Sequence, residues 1–295
     1  MKIITPRAFD PTKITTNVPL TETAWTAGTY GLGNRRYDPA TYDLYEVVVA
    51  STTDSPTAGY AKDPKTWDRV GKVNRFACFD NIVGHPTTGT DIDITIAPDG
   101  TLTNGIAAFS VSGGGTLRIT VTDPTDGVVY DQSYDLVDNS GIGSWYDWYF
   151  APIVRNQDQA FIDLPLYASA SIRVRISGAA SVGELVLGQV TEIGDALYGT
   201  QVGILDFSRK DRDTFGNAVL IQRAFSKRVT YSTHIPTPRI AYANRVLSDR
   251  RALPTVYIGS VSHPGTVTYG FFRDFTVTLA GPSSSDCSIE VEGLV

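Results

Sequence analysis

The sequence predicts an all-β protein: a small aromatic-rich β module, then an antiparallel β-sandwich of jelly-roll type, then a C-terminal mainly-β domain with one short helix. Three observations carry this. Polar and apolar residues alternate with a period of two in Asp91–Ile96, Thr116–Val121 and Ser171–Ile176, the pattern of strands with one wet and one dry face. Turn chemistry separates such runs: Pro98-Asp99-Gly100, Gly113-Gly114-Gly115 and Asp123-Pro124-Thr125-Asp126-Gly127. The 15 Tyr, 12 Phe, 4 Trp, 27 Gly and 16 Pro favour short strands joined by tight turns.

Residues 1–20 read as an extended N-terminal arm, because Pro6, Pro11 and Pro19 interrupt any helix or central strand. Residues 21–74 form the small module; its best strand is Leu44–Ala50, and Thr53–Lys65 is a loop. With few aliphatic residues, a unit this short must bury aromatics. Residues 75–190 hold about eight strands between Phe76 and Val190, closing into the sandwich. Residues 191–295 make the last domain, with strands at 255–259, 266–270, 274–279 and 288–291. Between Pro238 and Leu253, the apolar residues Ile240, Ala243, Val246 and Leu247 recur at helical spacing, and Pro254 stops the helix.

The net charge of −6 and the pI near 5.1 repel a polyanion, and no run of Lys and Arg alternates with aromatics, so nucleic acid is not an expected partner. No apolar run reaches 18 residues and the start lacks the apolar stretch of a secretory signal, so no membrane insertion is expected. Cys78 and Cys287 have no metal-binding spacing and read as buried free thiols of a protein assembled in a reducing cytoplasm.

Several residues invite a functional reading beside a plain one. Trp25, Tyr45 and Trp67 have the faces needed to stack on a sugar ring, or else they are the core of the small module. Trp145-Tyr146-Asp147-Trp148-Tyr149-Phe150, read as a strand, sets aromatics on both faces. Both faces then need cover, from the sandwich core or from a partner subunit touching Trp145 and Trp148. Asp91 with Asp93, and Asp206 with Asp211 and Asp213, are carboxylates close in sequence, but glycoside cleavage needs a defined separation across a bond, and they read as solvated. Arg209-Lys210-Asp211-Arg212-Asp213 reads as a solvated loop or an electrostatic contact between subunits. His85, His234 and His263 are isolated loop histidines, and Gly31-Leu32-Gly33-Asn34 lacks the third glycine of a dinucleotide loop. No catalytic, cofactor-binding or metal-binding residue is assigned.

The stretch Trp25…Ala27-Gly28-Thr29-Tyr30…Gly33-Asn34-Arg35…Leu44-Tyr45-Glu46…Asp63-Pro64…Trp67…Val70-Gly71 resembles the small chitin-binding, carbohydrate-binding modules that are also embedded in phage tail proteins. Gly71-Lys72-Val73-Asn74-Arg75-Phe76-Ala77-Cys78-Phe79-Asp80 resembles the junction after that module in a family of tailed-phage proteins. Looser similarity runs through Tyr198-Gly199, Asp213-Thr214-Phe215-Gly216, Arg250, Pro254, Tyr269-Gly270-Phe271 and Ile289–Leu294. Asp68 follows Trp67 where sugar-binding members of the class often carry a second aromatic. The resemblance implies a non-enzymatic structural protein of a phage tail or baseplate, assembled in the host cytoplasm and located in the virion. Its implied partners are other tail or baseplate proteins, further copies of itself in a trimer or hexamer, and a host-surface glycan. A glycan- or receptor-binding tail protein and a polysaccharide-degrading enzyme are the alternatives.

Overall fold

The computed structural model describes every residue of the chain except those at 140, 213 and 280. Eight strands build its centre: β1 (Lys2–Pro6), β2 (Thr87–Ile96), β3 (Gly105–Phe109), β4 (Thr116–Asp123), β5 (Gly127–Asp135), β6 (Gln159–Phe161), β7 (Ser171–Val182) and β8 (Glu184–Glu192). They pair antiparallel in two facing sheets, β5-β4-β7-β2 and β6-β3-β8-β1. That is the strand order of a jelly roll. The alternating runs supply its interior: Ile92, Ile94, Leu117, Ile119, Val174 and Ile176 from one sheet meet Ile106, Ala108, Leu185 and Leu187 from the other.

The extended arm expected at residues 1–20 is corrected by β1, a central strand. Ile4 pairs with Val190 on one side and Val256 on the other, and Ile3 and Ile4 are fully buried. The prolines permit this because of where they fall. Pro6 is the last residue of β1, Pro11 opens a 3-10 turn, and Pro19 lies beyond the short strand Ile14–Thr16 that borders β2. Along the β1–β8 seam the backbones approach closely at Gly188, where a Cβ would sit 1.7 Å from the Thr5 carbonyl oxygen. Gly188→Ala is therefore expected to cost about 1–3 kcal/mol or more and to lower the thermal midpoint by several degrees in calorimetry.

The sheet also runs past the boundary expected at 190. After β9 (Gln201–Asp206), β10 (Arg209–Arg212), β11 (Ala218–Ile221) and β12 (Phe225–Pro236) come β13 (Thr255–Ile258), β14 (Val267–Thr278) and β15 (Ser284–Gly293). The order continues from β1 through β13-β14-β15-β12, so the last third extends the jelly roll's own sheet. The sheet curls until distant strands meet: Phe109 of β3 stacks on Tyr269 of β14 at 5.6 Å, and Lys227 of β12 pairs with Asp158 at 2.6 Å.

Among the described residues the α-helices are α1 (Pro56–Tyr60), α2 (Trp145–Phe150) and α3 (Ile240–Asp249). The expected helix is α3, whose Ala243 and Leu247 bury against Tyr231, Tyr257, Ile289 and Val291. It ends at Asp249, and the chain turns through Ala252, whose φ is 54°, before Pro254. Cys78 and Cys287 are buried free thiols, with burial pushing them up to about 12 and about 11.

The small module is inserted between β1 and β2. Its three-stranded antiparallel sheet comprises Arg35–Tyr37, Asp43–Val47 and Trp67–Lys72. The loop expected at 53–65 contains α1, a single turn started by Pro56 at the first helical position. A hydrophobic cluster of Tyr37, Leu44, Val73 and Phe76, flanked by Phe9, Ile14 and Phe79, welds the module to the jelly roll.

Candidate interaction surface

The three aromatics considered for glycan contact are not an exposed platform. Trp67 is fully buried and Tyr45 is 5% exposed, and with Tyr30 and Val47 they form the module's core. The Trp67 indole N–H donates to the Asp54 carbonyl at 3.1 Å, and its ring meets Tyr30 edge-on at 5.5 Å. Trp25 is half-buried against this cluster. A ring whose faces are packed against protein has no face left for a pyranose, so the glycan-contact role of Tyr45 and Trp67 is corrected to a core role.

The carboxylates named from sequence are occupied by cations and backbone. Asp93 accepts from Arg173 Nε at 2.8 Å and lies 3.4 Å from Arg175, across the solvated face of β2 and β7. Asp91 accepts from the Gly178 N–H at 2.7 Å. Asp206 pairs with Lys210 at 2.7 Å, Asp211 pairs with Arg209, and Asp213 lies outside the described residues. His234 sits 2.9 Å from Asp286 on the surface.

A buried acid pair escapes the sequence reading. Asp80, 3% exposed, accepts from the backbone N–H groups of Lys72 and Ile82 and lies 2.7 Å from His85 Nδ1. Glu184, at the start of β8, is also 3% exposed and accepts from the Asn81 N–H at 3.1 Å. Burial, reinforced by the Asp80 charge, pushes the Glu184 carboxyl up to about 9. The sequence signal was a lone acid in the apolar run Val182–Leu187. Glu184 lines a cleft of about 330 Å³ together with Phe9, Phe79, Tyr269, Arg7 and Arg250. Among the described residues no group of three or more His, Cys, Asp or Glu is placed to hold a metal ion.

The strongest departure from an inert surface is apolar. The strand expected at 145–150 is the helix α2, and among the described residues none covers either face of it. Its start is set by Ser144, whose hydroxyl accepts from the Asp147 N–H at 3.2 Å and donates to the Asp147 carboxylate at 2.8 Å, a reciprocal cap that a strand would lose. Trp145 is 80% exposed, Trp148 59% and Tyr149 74%, with Tyr146, Phe150 and Ile153 similarly bare. Five aromatic side chains at this exposure present on the order of 700 Å² of mostly apolar surface, above the largest patch of an ordinary monomer. Trp145 and Trp148 thus stand where a partner can reach them.

A second bare segment follows Tyr198. Among the described residues β9 pairs with β12 alone, and β10 pairs with β11 as a two-stranded sheet in which every residue of the two strands is exposed. Val202 and Ile204 of β9 and the consecutive Val219, Leu220 and Ile221 of β11 face water. Because Val219 and Ile221 point to one side and Leu220 to the other, both faces of the hairpin are apolar. Such a hairpin is marginal on its own in water. Comparison with family models, with curated proteins and with solved structures returns no match to this chain.

Proposed function

We propose that this chain is an architectural subunit of a bacteriophage tail or baseplate, which binds neighbouring tail proteins in the virion and carries residues 21–74 as an inserted module. The observation that carries the reading is the uncovered aromatic helix α2, reinforced by the bare hairpin β10–β11. A chain that buries its own hydrophobic cores and still leaves this much aromatic surface in water is built to meet other protein. The resemblance of residues 25–80 to a module found in phage tail proteins supplies the setting. Burial of Trp67 and Tyr45 gives the module's aromatics to its own stability, so the reading does not depend on sugar contact.

Deletion of the coding sequence from the phage that encodes it tests the proposal. The expected result is non-infectious particles with missing or incomplete tails, restored by the chain supplied in trans, and stoichiometric copies of the chain in wild-type particles by mass spectrometry. Intact infectious particles from the deletion would overturn it.

A further inference from the structure

The two bare segments are unlike each other and complementary. Residues 135–155 contain Asp135, Asp138 and Asp147 against Arg155, which pairs across from Val137, a net charge of −2. Residues 206–224 contain Arg209, Lys210, Arg212 and Arg223 against Asp206, Asp211 and Asp213, a net charge of +1, with Lys210 paired to Asp206 and Arg209 to Asp211. Each also presents large apolar side chains to water: Trp145, Trp148 and Tyr149 on the first, Val219, Leu220 and Ile221 on the second. A different protein docked on one segment would leave the other bare. A head-to-tail contact between copies consumes both, one from each copy, and leaves every interior copy equivalently satisfied. The area of the α2 segment approaches the ~800 Å² per partner of a standard stable interface.

We propose that the partner is a second copy of this chain: the hairpin β10–β11 of one copy docks on the α2 segment of the next, apolar against apolar, with the cationic strand β10 facing the acidic flank of α2. The proposal rests on the architectural reading above and specifies which protein covers these surfaces. The contact is heterologous, so it repeats from copy to copy.

Sedimentation velocity on the full chain at micromolar concentration tests it. The wild type is expected to self-associate, and more weakly as salt rises, since the segments are oppositely charged. Trp148→Asp and Leu220→Asp are each expected to weaken association by about tenfold or more, with circular dichroism and melting unchanged because both side chains are exposed. Arg212→Glu should weaken it independently through charge alone. The two single variants break opposite sides, so their equimolar mixture should recover a one-to-one dimer and nothing larger. Failure of the mixture to associate overturns the head-to-tail contact. A monomeric wild type overturns the proposal outright; if that monomer still enters purified particles, the architectural reading survives with another tail protein on these surfaces. Binding of the monomer to vesicles of phosphatidylcholine and phosphatidylglycerol, with a blue shift of tryptophan emission, overturns it in favour of a membrane.

Discussion

Replacing Trp67 by Ala is expected to destabilise the protein by about 3–5 kcal/mol, read as a lower urea midpoint and as new proteolytic cleavage within residues 21–74. The ring is fully buried and packs edge-on against Tyr30. It also fills the space beside Gly59, where a Cβ would come within 2.4 Å of the indole. Its N–H holds the Asp54 carbonyl at 3.1 Å, so truncation leaves a cavity and an unmatched acceptor together. Trp145→Ala, at an 80% exposed position, should change stability by less than about 0.5 kcal/mol. A Trp67→Ala protein that kept wild-type stability while losing binding to chitin oligomers would return the residue to a glycan-contact role.

Glu184→Gln should stabilise the protein at mildly alkaline pH. The ordinary carboxyl value is 4.5, and in the fold it is pushed up to about 9, first by burial and then by Asp80. Below pH 4.5 the group is protonated in both the native and the unfolded chain, and its contribution to the native state is complete. Between 4.5 and 9 the unfolded chain sheds a proton that the native chain keeps, so this contribution drains away as pH rises. Glutamine is neutral throughout and keeps an oxygen for the Asn81 N–H. The variant should match the wild type near pH 4.5 and exceed it by on the order of 3–5 kcal/mol at pH 8. A stability difference independent of pH, or a less stable variant at pH 8, would show that Glu184 is ionised in the fold.

The part of this architecture visible in the sequence is the part with one wet face. β2, β4 and β7 each expose one side to water, so alternation betrays them directly. β1 is hydrogen-bonded on both sides and buried on both faces at Ile3 and Ile4, which leaves five residues with no period to read. The six aromatic-rich residues of α2 satisfy strand and helix patterns equally, and the deciding feature was the Ser144–Asp147 cap rather than the aromatics. Whether an aromatic face is covered depends on chain far away in sequence. That is why Trp67 and Trp145 look alike in one dimension and part company in three. Glu184 is perturbed by Asp80, which lies on the far side of the intervening strands in sequence and joins it only when β8 takes its place in the sheet.

The insertion point of residues 21–74 has a mechanical consequence. The chain departs the larger sheet at the end of β1, borders β2 through Ile14–Thr16 ahead of the inserted unit, and returns as β2 after it, so tension on that unit divides between two anchors in one sheet. On the N-terminal side the pull meets Ile14–Thr16 first, a strand whose ladder bonds to β2 lie at right angles to the chain. Those bonds resist in shear, all together, where a strand tethered crosswise would unzip them one after another.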